Sequence, residues 1–490
     1  MQLSILTIII FIPLVAGLAI LLLPAERRNA IRITALAASV VTFLLTLWVF
    51  FSYDAAAGGY QFVQKVPWLP ALGISYYVGV NGISVPLLLL AGVVLMTGVM
   101  ISWRVEDRPR EFFSFMLFLG TSVLGVFSSL DLFMLFFFFE LAIFPKYLMI
   151  VIWGYPKTRE YGAMKLTLYL FVGSVVALVG VLAMYFASGL HTFDLIALEN
   201  AGFSAAFQKL WFPVVFLGFA VLAGIFPFHS WAPDGHVAAP TAVSMLLAGV
   251  EMKVGAFAAL RVAIELMPEG AKAWSWLILT LATINVVYGA YIALIQTDFK
   301  YVIGFSSVSH MGLVLIGFAS LNHDGLVGAG MQMFSHGIMT ALFFSVVGMV
   351  YDRAHTRDIS KLGGLFKKMP IAAIGFIIAG LVSMGMPGFS GFVSEFPIFM
   401  GAWQAAPVVA IVAILGVIIT AAYILRVVGK VFFGEISPEL DATVTDVSVL
   451  DKISVILLST MMIVIGVFPS VLSTVVESGV TQVLSLLGGM

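Results

Sequence analysis

Apolar runs of about 20 residues, the length that crosses ~30 Å of hydrocarbon, recur from one end of the chain to the other with short polar links between them. They predict membrane spans near 3–23, 32–52, 79–101, 112–129, 131–153, 165–187, 211–228, 239–264, 273–296, 301–320, 326–350, 371–393, 407–428 and 452–475. The expected fold is all-α and integral to the membrane, with about 14 transmembrane helices. The first run is too long and too poor in leading positive charge for a cleaved signal, so it is read as a membrane helix. No strand pattern is expected.

Two distant spans are interrupted in a similar way. Span seven breaks at Phe226-Pro227-Phe228 and runs into His229-Ser230-Trp231-Ala232-Pro233-Asp234, and span twelve breaks at Gly385-Met386-Pro387-Gly388-Phe389-Ser390-Gly391. Broken helices five spans apart point to two inverted five-helix repeats, spans 4–8 and 9–13, whose interruptions line an ion path. The chain then divides into an N-terminal three-helix segment (1–110), two repeats (111–268 and 269–430), and a cytoplasmic link with the final helix (431–490).

Basic residues fix the expected orientation, because lysine and arginine resist export. Arg27, Arg28 and Arg32 follow span one; Arg104, Arg108 and Arg110 follow span three; Lys157 and Arg159 follow span five; Arg353, Arg357, Lys361, Lys367 and Lys368 follow span eleven. Odd-numbered loops are therefore expected in the cytoplasm, and both termini outside a bacterial inner membrane. The acids Glu435, Glu439, Asp441, Asp446 and Asp451 then fall in a cytoplasmic link.

Composition narrows the function. Of 490 residues 61% are apolar and 10% charged, which excludes a water-soluble globular protein. A net charge of -1 gives no excess of base for nucleic acid. With no cysteine, the chain itself offers no iron-sulfur cluster, disulfide or thiolate zinc site. No phosphate loop, dinucleotide fingerprint or His-Glu-x-x-His pattern is present, so no cofactor or metal is expected on this chain.

What remains is a set of ionisable residues inside the membrane, each costing about 2.5 to 3.5 kcal/mol at a helix centre unless paired or hydrated. Glu140 lies in span five, Lys165 opens span six, Glu251 and Lys253 sit mid-span eight, and Glu395 follows the break in span twelve. His229, His236, His310 and His336 lack the repeated pairing that haem needs. Histidine titrates near neutral pH and as a neutral ring both donates and accepts, so a file of them among carboxylates and lysines suits proton relay.

These segments resemble the antiporter-like membrane subunits of respiratory complex I, and among them the M type. The resemblance rests on Phe-Glu-Leu-Ala-Ile-Phe-Pro around Glu140, the stretch from Pro227 to Ala242, Ser-Ser-Val-Ser-His-Met-Gly from Ser306, and Gly-Met-Pro-Gly-Phe-Ser-Gly-Phe-Val-Ser-Glu-Phe from Gly385, and it covers almost the whole chain. It implies proton translocation driven by redox chemistry elsewhere. Flavin, iron-sulfur clusters and quinone would sit on partner subunits, with L-type and N-type membrane neighbours and the lipid bilayer around this chain. It also implies roles: Glu140 as gate, Lys165 as the family's span-six lysine in proton transfer, Lys253 as central carrier, Glu395 as exit or relay, and the four histidines as anchors of a water chain. The glutamate at 395 favours the M type, as does a chain ending near span fourteen.

One position departs from the pattern. The family's span-seven lysine, seven residues before His229, is Leu222 here. Lys146 and Glu251 are the compensating charges, Lys146 being expected to replace the missing lysine as partner of Glu140. In a straight helix Lys146 lies about 240° round from Glu140, so direct pairing needs a distortion at Pro145. Three other readings stand beside this one: a D-type subunit of a multi-subunit sodium/proton antiporter or its counterpart in a membrane-bound hydrogenase, a non-conducting membrane spacer, and a stand-alone solute transporter.

Overall fold

The computed structural model describes residues 4–488. Lipid offers no hydrogen bonds, so each crossing segment must satisfy its backbone internally, and helices do this. Among the described residues, thirteen helices are long and apolar enough to cross a membrane. In chain order they supply span one (Ile5–Leu22), two (Arg28–Ser52), three (Ser84–Arg104), four (Pro109–Ser128), five (Leu132–Trp153), six (Arg159–Ser188) and the first part of seven (Ala205–Ala223). They continue as eight (Thr241–Ile264), nine (Pro268–Ile295), ten (Phe299–Ala319), eleven (His323–Ala354), thirteen (Pro407–Val431) and fourteen (Val449–Val467). Span twelve is split into two shorter helices, Pro370–Ser383 and Ser390–Ala405. The all-α membrane architecture and both interruptions are as expected.

Side chains start several of these helices. Asp131 accepts from the backbone of Phe133 and Met134 at the head of span five, Asp298 from Lys300 and Tyr301 at span ten, and Asn322 from Gly325 at span eleven. Ser448 and Asp451 form a reciprocal cap on span fourteen. Each satisfies donors that the first turn leaves free.

Spans three, eight, ten and eleven are buried almost throughout, and the others wrap them with one apolar face outward. Span seven packs on span six, and the second half of twelve on span eleven, so the two broken helices occupy corresponding places.

Asn285 of span nine closes the break in span seven. Its carbonyl accepts from Phe226 N at 2.5 Å and its amide donates to Gly224 O at 2.7 Å, while Trp231 Nε1 donates to Val221 O at 2.8 Å. Gly224 turns the chain there with φ +79°, a conformation that costs a residue with a Cβ. The helix then resumes as Trp231–Ala238.

Four features differ from the expectation. Span six begins at Arg159, so Lys165 lies within the helix rather than at its head. Span eight opens into two π-helical segments, Leu247–Glu251 and Ala259–Ile264. Between spans two and three, Gln61–Leu69 and Ile74–Val80 pair as an antiparallel hairpin, whose short alternating strands a search for membrane-length runs passes over. After span fourteen, Ser470–Leu486 forms a further helix with Leu472, Val475, Val476, Gly479, Val480 and Val483 on its buried side. Its other face carries Ser, Thr, Glu and Gln, which hid it from a hydropathy reading. It lies against Gly82 at the head of span three, where a Cβ would meet Val475 O at 2.0 Å.

The acidic link is tied down rather than loose. Lys368 pairs with Asp441 at 2.7 Å, Lys452 with Asp446 at 2.6 Å, and Arg353 with Asp451 at 3.1 Å.

Candidate functional site: a buried ion chain

Spans five to eight hold the first group of charges. Glu140 is half-buried, and its Oε1 has no hydrogen-bond partner among the described residues. The Lys146 ammonium pairs with Glu251, and both side chains are 1% exposed. The expectation of a Lys146–Glu140 pair is therefore corrected. Lys146 points across to span eight, which follows from its placement well round the helix from Glu140.

Leu222 shows why that partner is available. It packs against Gly255, where a Cβ would lie 2.8 Å from the Leu222 Cβ. Gly255 is four residues beyond Glu251 and so on the same helix face. Position 222 thus abuts the stretch of span eight that Lys146 reaches from span five.

Lys165 donates to Asp234 Oδ2 at 2.7 Å, and Tyr301 Oη donates to Asp234 Oδ1 at 2.9 Å. His229 sits nearby, stacked on Phe226 at 5.5 Å and edge-on to Tyr288 at 5.2 Å, with Nδ1 unpartnered. His236 lies between the rings of Trp231 and Phe344, and neither of its nitrogens has a partner among the described residues.

The second group is more continuous. Lys253 Nζ donates to Ala248 O at 2.5 Å, a carbonyl of the first π segment, and lies 2.8 Å from His336 Nδ1. The His336 and His310 rings are 5.4 Å apart. His310 Nδ1 is 3.1 Å from Glu395 Oε1 and its Nε2 is 2.8 Å from Ser383 Oγ. Gln332 Nε2 donates to the same Glu395 oxygen at 3.0 Å, and Ser394 Oγ donates to Gln332 Oε1 at 2.5 Å. Lysine, two histidines and a carboxylate thus follow one another with one ring-to-ring step between hydrogen-bonded pairs.

Three participants were missed from sequence. Asp234 lay inside a quoted motif, but its pairing with Lys165 spans 69 residues. Gln332 carries no charge to attract attention. Lys300 falls just outside the expected span ten, yet it is buried and donates to Ala239 O at 2.6 Å. A lysine in the first turn of a helix opposes the helix dipole, and that conflict was the available signal. Lys300 lines a cavity of about 260 Å³ with Thr241, Tyr351, Asp352 and Arg357, on the side of the odd-numbered loops. Among the described residues, no cluster of His, Cys, Asp or Glu is placed to hold a metal.

Residues 129–420 match the profile of the NADH:quinone oxidoreductase/Mrp antiporter transmembrane family. The chain is 38% identical to NADH-quinone oxidoreductase subunit M of Rhodobacter capsulatus, over 98% of its own length and 96% of that protein. This chain belongs to that family. Its likeness extends to NAD(P)H-quinone oxidoreductase chain 4 of Gloeobacter violaceus, 37% identical over 88% of this chain and 83% of that protein. In three dimensions it is similar to a chain of respiratory complex I from Thermus thermophilus with bound NADH, with TM-score 0.90 and 31% identity over 99% of this chain and 100% of the other. A chain of the Mrp complex from Dietzia shares the fold at TM-score 0.87 and 19% identity, over 99% of this chain and 97% of the other.

Proposed function

We propose that this chain is the M-type, proton-translocating membrane-arm subunit of a complex I-type NADH:quinone oxidoreductase in a bacterial inner membrane. The sequence Lys253–His336–His310–Glu395, two hydrogen-bonded pairs joined by one ring-to-ring step of 5.4 Å, carries this reading. It acts as a subunit of an enzyme complex and holds no redox centre of its own. Flavin, iron-sulfur clusters and quinone belong to partner subunits, and L-type and N-type subunits flank it in the membrane. Odd-numbered loops face the cytoplasm, and both termini face outward.

In mechanism, a proton reaches the interior from the cytoplasmic cavity at Lys300 and passes toward Lys253. The buried Lys146–Glu251 pair is the switch: opening it raises the proton affinity of the carboxylate and lowers that of the ammonium, which displaces charge along span eight. Glu140, left without its usual lysine, gates from the side of the neighbouring subunit, while Lys165 and Asp234 form a separate pair between span six and the helix after the break in span seven. Lys253 carries, the histidines conduct, and Glu395 delivers the proton outward or to the next subunit.

The test is proton pumping by the whole oxidoreductase in sealed vesicles. Lys253→Met and Glu395→Gln are each expected to lower the protons moved per NADH oxidised while quinone reduction in uncoupled vesicles persists. Unchanged ratios in both variants would mean that this subunit is a spacer.

A further inference from the structure

At the far end of span eight, eight residues beyond Lys253, is a second buried cluster that the chain of charges above does not use. Arg261 projects from the second π segment and pairs with Glu265 just past the end of the span, and each is 1% exposed. The other carboxylate oxygen, Glu265 Oε1, is buried without a partner among the described residues. The Tyr60 ring, from the loop after span two, lies 5.0 Å from the Arg261 guanidinium carbon, and its hydroxyl donates to Glu199 Oε1 at 3.3 Å.

We propose that Glu265 and Glu199 share one exchangeable proton beside Arg261, forming a release site on the face of the even-numbered loops that is separate from Glu395, with Tyr60 as its cover. This rests on the proton-translocating reading above. Two carboxylates face one guanidinium, so a single proton makes the group neutral, as its burial requires. The neighbouring Lys65–Asp194 pair, at 2.5 Å, is already balanced. Asp131 beyond it is committed to capping span five.

Burial raises the Glu265 carboxyl to about 8, with Glu199 pushing the same way against Arg261. Burial also raises the Glu199 carboxyl, which Arg261 and Tyr60 pull back and Asp194 lifts further. A carboxyl that holds its proton near neutral pH can receive one from inside and give it up outside.

The route from Lys253 is short. At about 1.5 Å per residue Glu265, twelve residues beyond Lys253, lies ~18 Å from it along the helix axis. Between them the Phe127 and Phe257 rings pack edge to face at 5.4 Å, and next to Phe127 the Ser128 Oγ is buried with no partner among the described residues. That apolar pair separates the carrier from the release group. In the release step the Glu265 O–H bond breaks, the proton passes to water past Glu199, and Arg261 stays charged over the carboxylate left behind.

The whole oxidoreductase in sealed vesicles, with NADH as donor and quinone as acceptor, tests this through protons moved per NADH and their dependence on release-side pH. The wild-type ratio is expected to respond over about one unit either side of the Glu265 midpoint. Glu265→Gln and Glu199→Gln are each expected to lower the ratio and abolish that response, and Tyr60→Phe to shift its midpoint. If Lys253→Met lowers the ratio while both glutamine variants keep the wild-type ratio and pH profile, the release site is overturned and the conducting role stands. If Lys253→Met has no effect, both fall. Should Glu265→Gln fail to assemble, Glu199→Gln decides, because it leaves the Arg261–Glu265 pair intact.

Discussion

Lys146 shows at residue scale what a buried charge requires, since it pairs with Glu251 where both are almost fully enclosed. Removing one member of a buried pair costs about 3–5 kcal/mol, because the other is left charged in a dry site. Lys146→Met is therefore expected to destabilise the assembled complex and reduce pumping. Lys146→Met/Glu251→Gln should be milder than the single change, because it removes both charges together. Lys146→Met/Leu222→Lys should recover activity by returning the cation to its family position beside the same face of span eight. Thermal denaturation and pumping of the four proteins check this, and a double variant no better than Lys146→Met would argue against it. The residue types at 146 and 251 were legible in sequence as compensating charges. Their pairing was not, because Lys146 and Glu251 are 105 residues apart and helix packing chose between two carboxylates. His310 and Glu395 were legible through their motifs and Lys253 and His336 as ionisable residues inside membrane spans, yet the Gln332 bond to Glu395 was not, since an uncharged amide leaves no mark in a charge reading.

At the scale of elements, an interrupted helix is stable only where its freed backbone groups find partners. One side chain, Asn285, serves both a donor and an acceptor of span seven. Asn285→Leu leaves two buried backbone groups unpaired, at about 1–3 kcal/mol each. A lower denaturation temperature of the complex and a pumping defect are expected together. Asn285→Asp, which keeps the acceptor for Phe226 and loses the donor to Gly224, should fall between. Wild-type stability in Asn285→Leu would show that the break is held by other contacts. The break itself was readable from Phe226-Pro227-Phe228, but its support from span nine lies about 60 residues away and has no local signature. The π segments of span eight escaped for a related reason: an α-helix and a π-helix of the same residues share one hydropathy profile.

For the whole molecule, the positions of the spans follow from apolar length, whereas burial does not follow from charge: span three, uncharged along its apolar run, is buried almost throughout, and span five, with Glu140 and Lys146, is not. The final helix and the hairpin do not follow from apolar length, because the helix carries a polar outer face and the strands of the hairpin are too short to register as membrane-length runs. The burial of span eight also bears on how the protein is made. Within Thr241–Ile264, Glu251 and Lys253 near the centre together cost about 5–7 kcal/mol to place in lipid. Nine Leu, Ile, Phe and Val residues there return only about 3–5 kcal/mol. Span eight is therefore not expected to leave the insertion machinery alone. In a glycosylation assay of membrane insertion, the isolated segment should fail to integrate, and Glu251→Leu/Lys253→Leu should integrate. The native segment should integrate when synthesised behind spans four to seven, which bring Lys146. Efficient insertion of the native segment by itself would contradict this. A span that carries buried charge must wait at the translocon for the neighbours that neutralise it, so the order of synthesis belongs to the design of the fold.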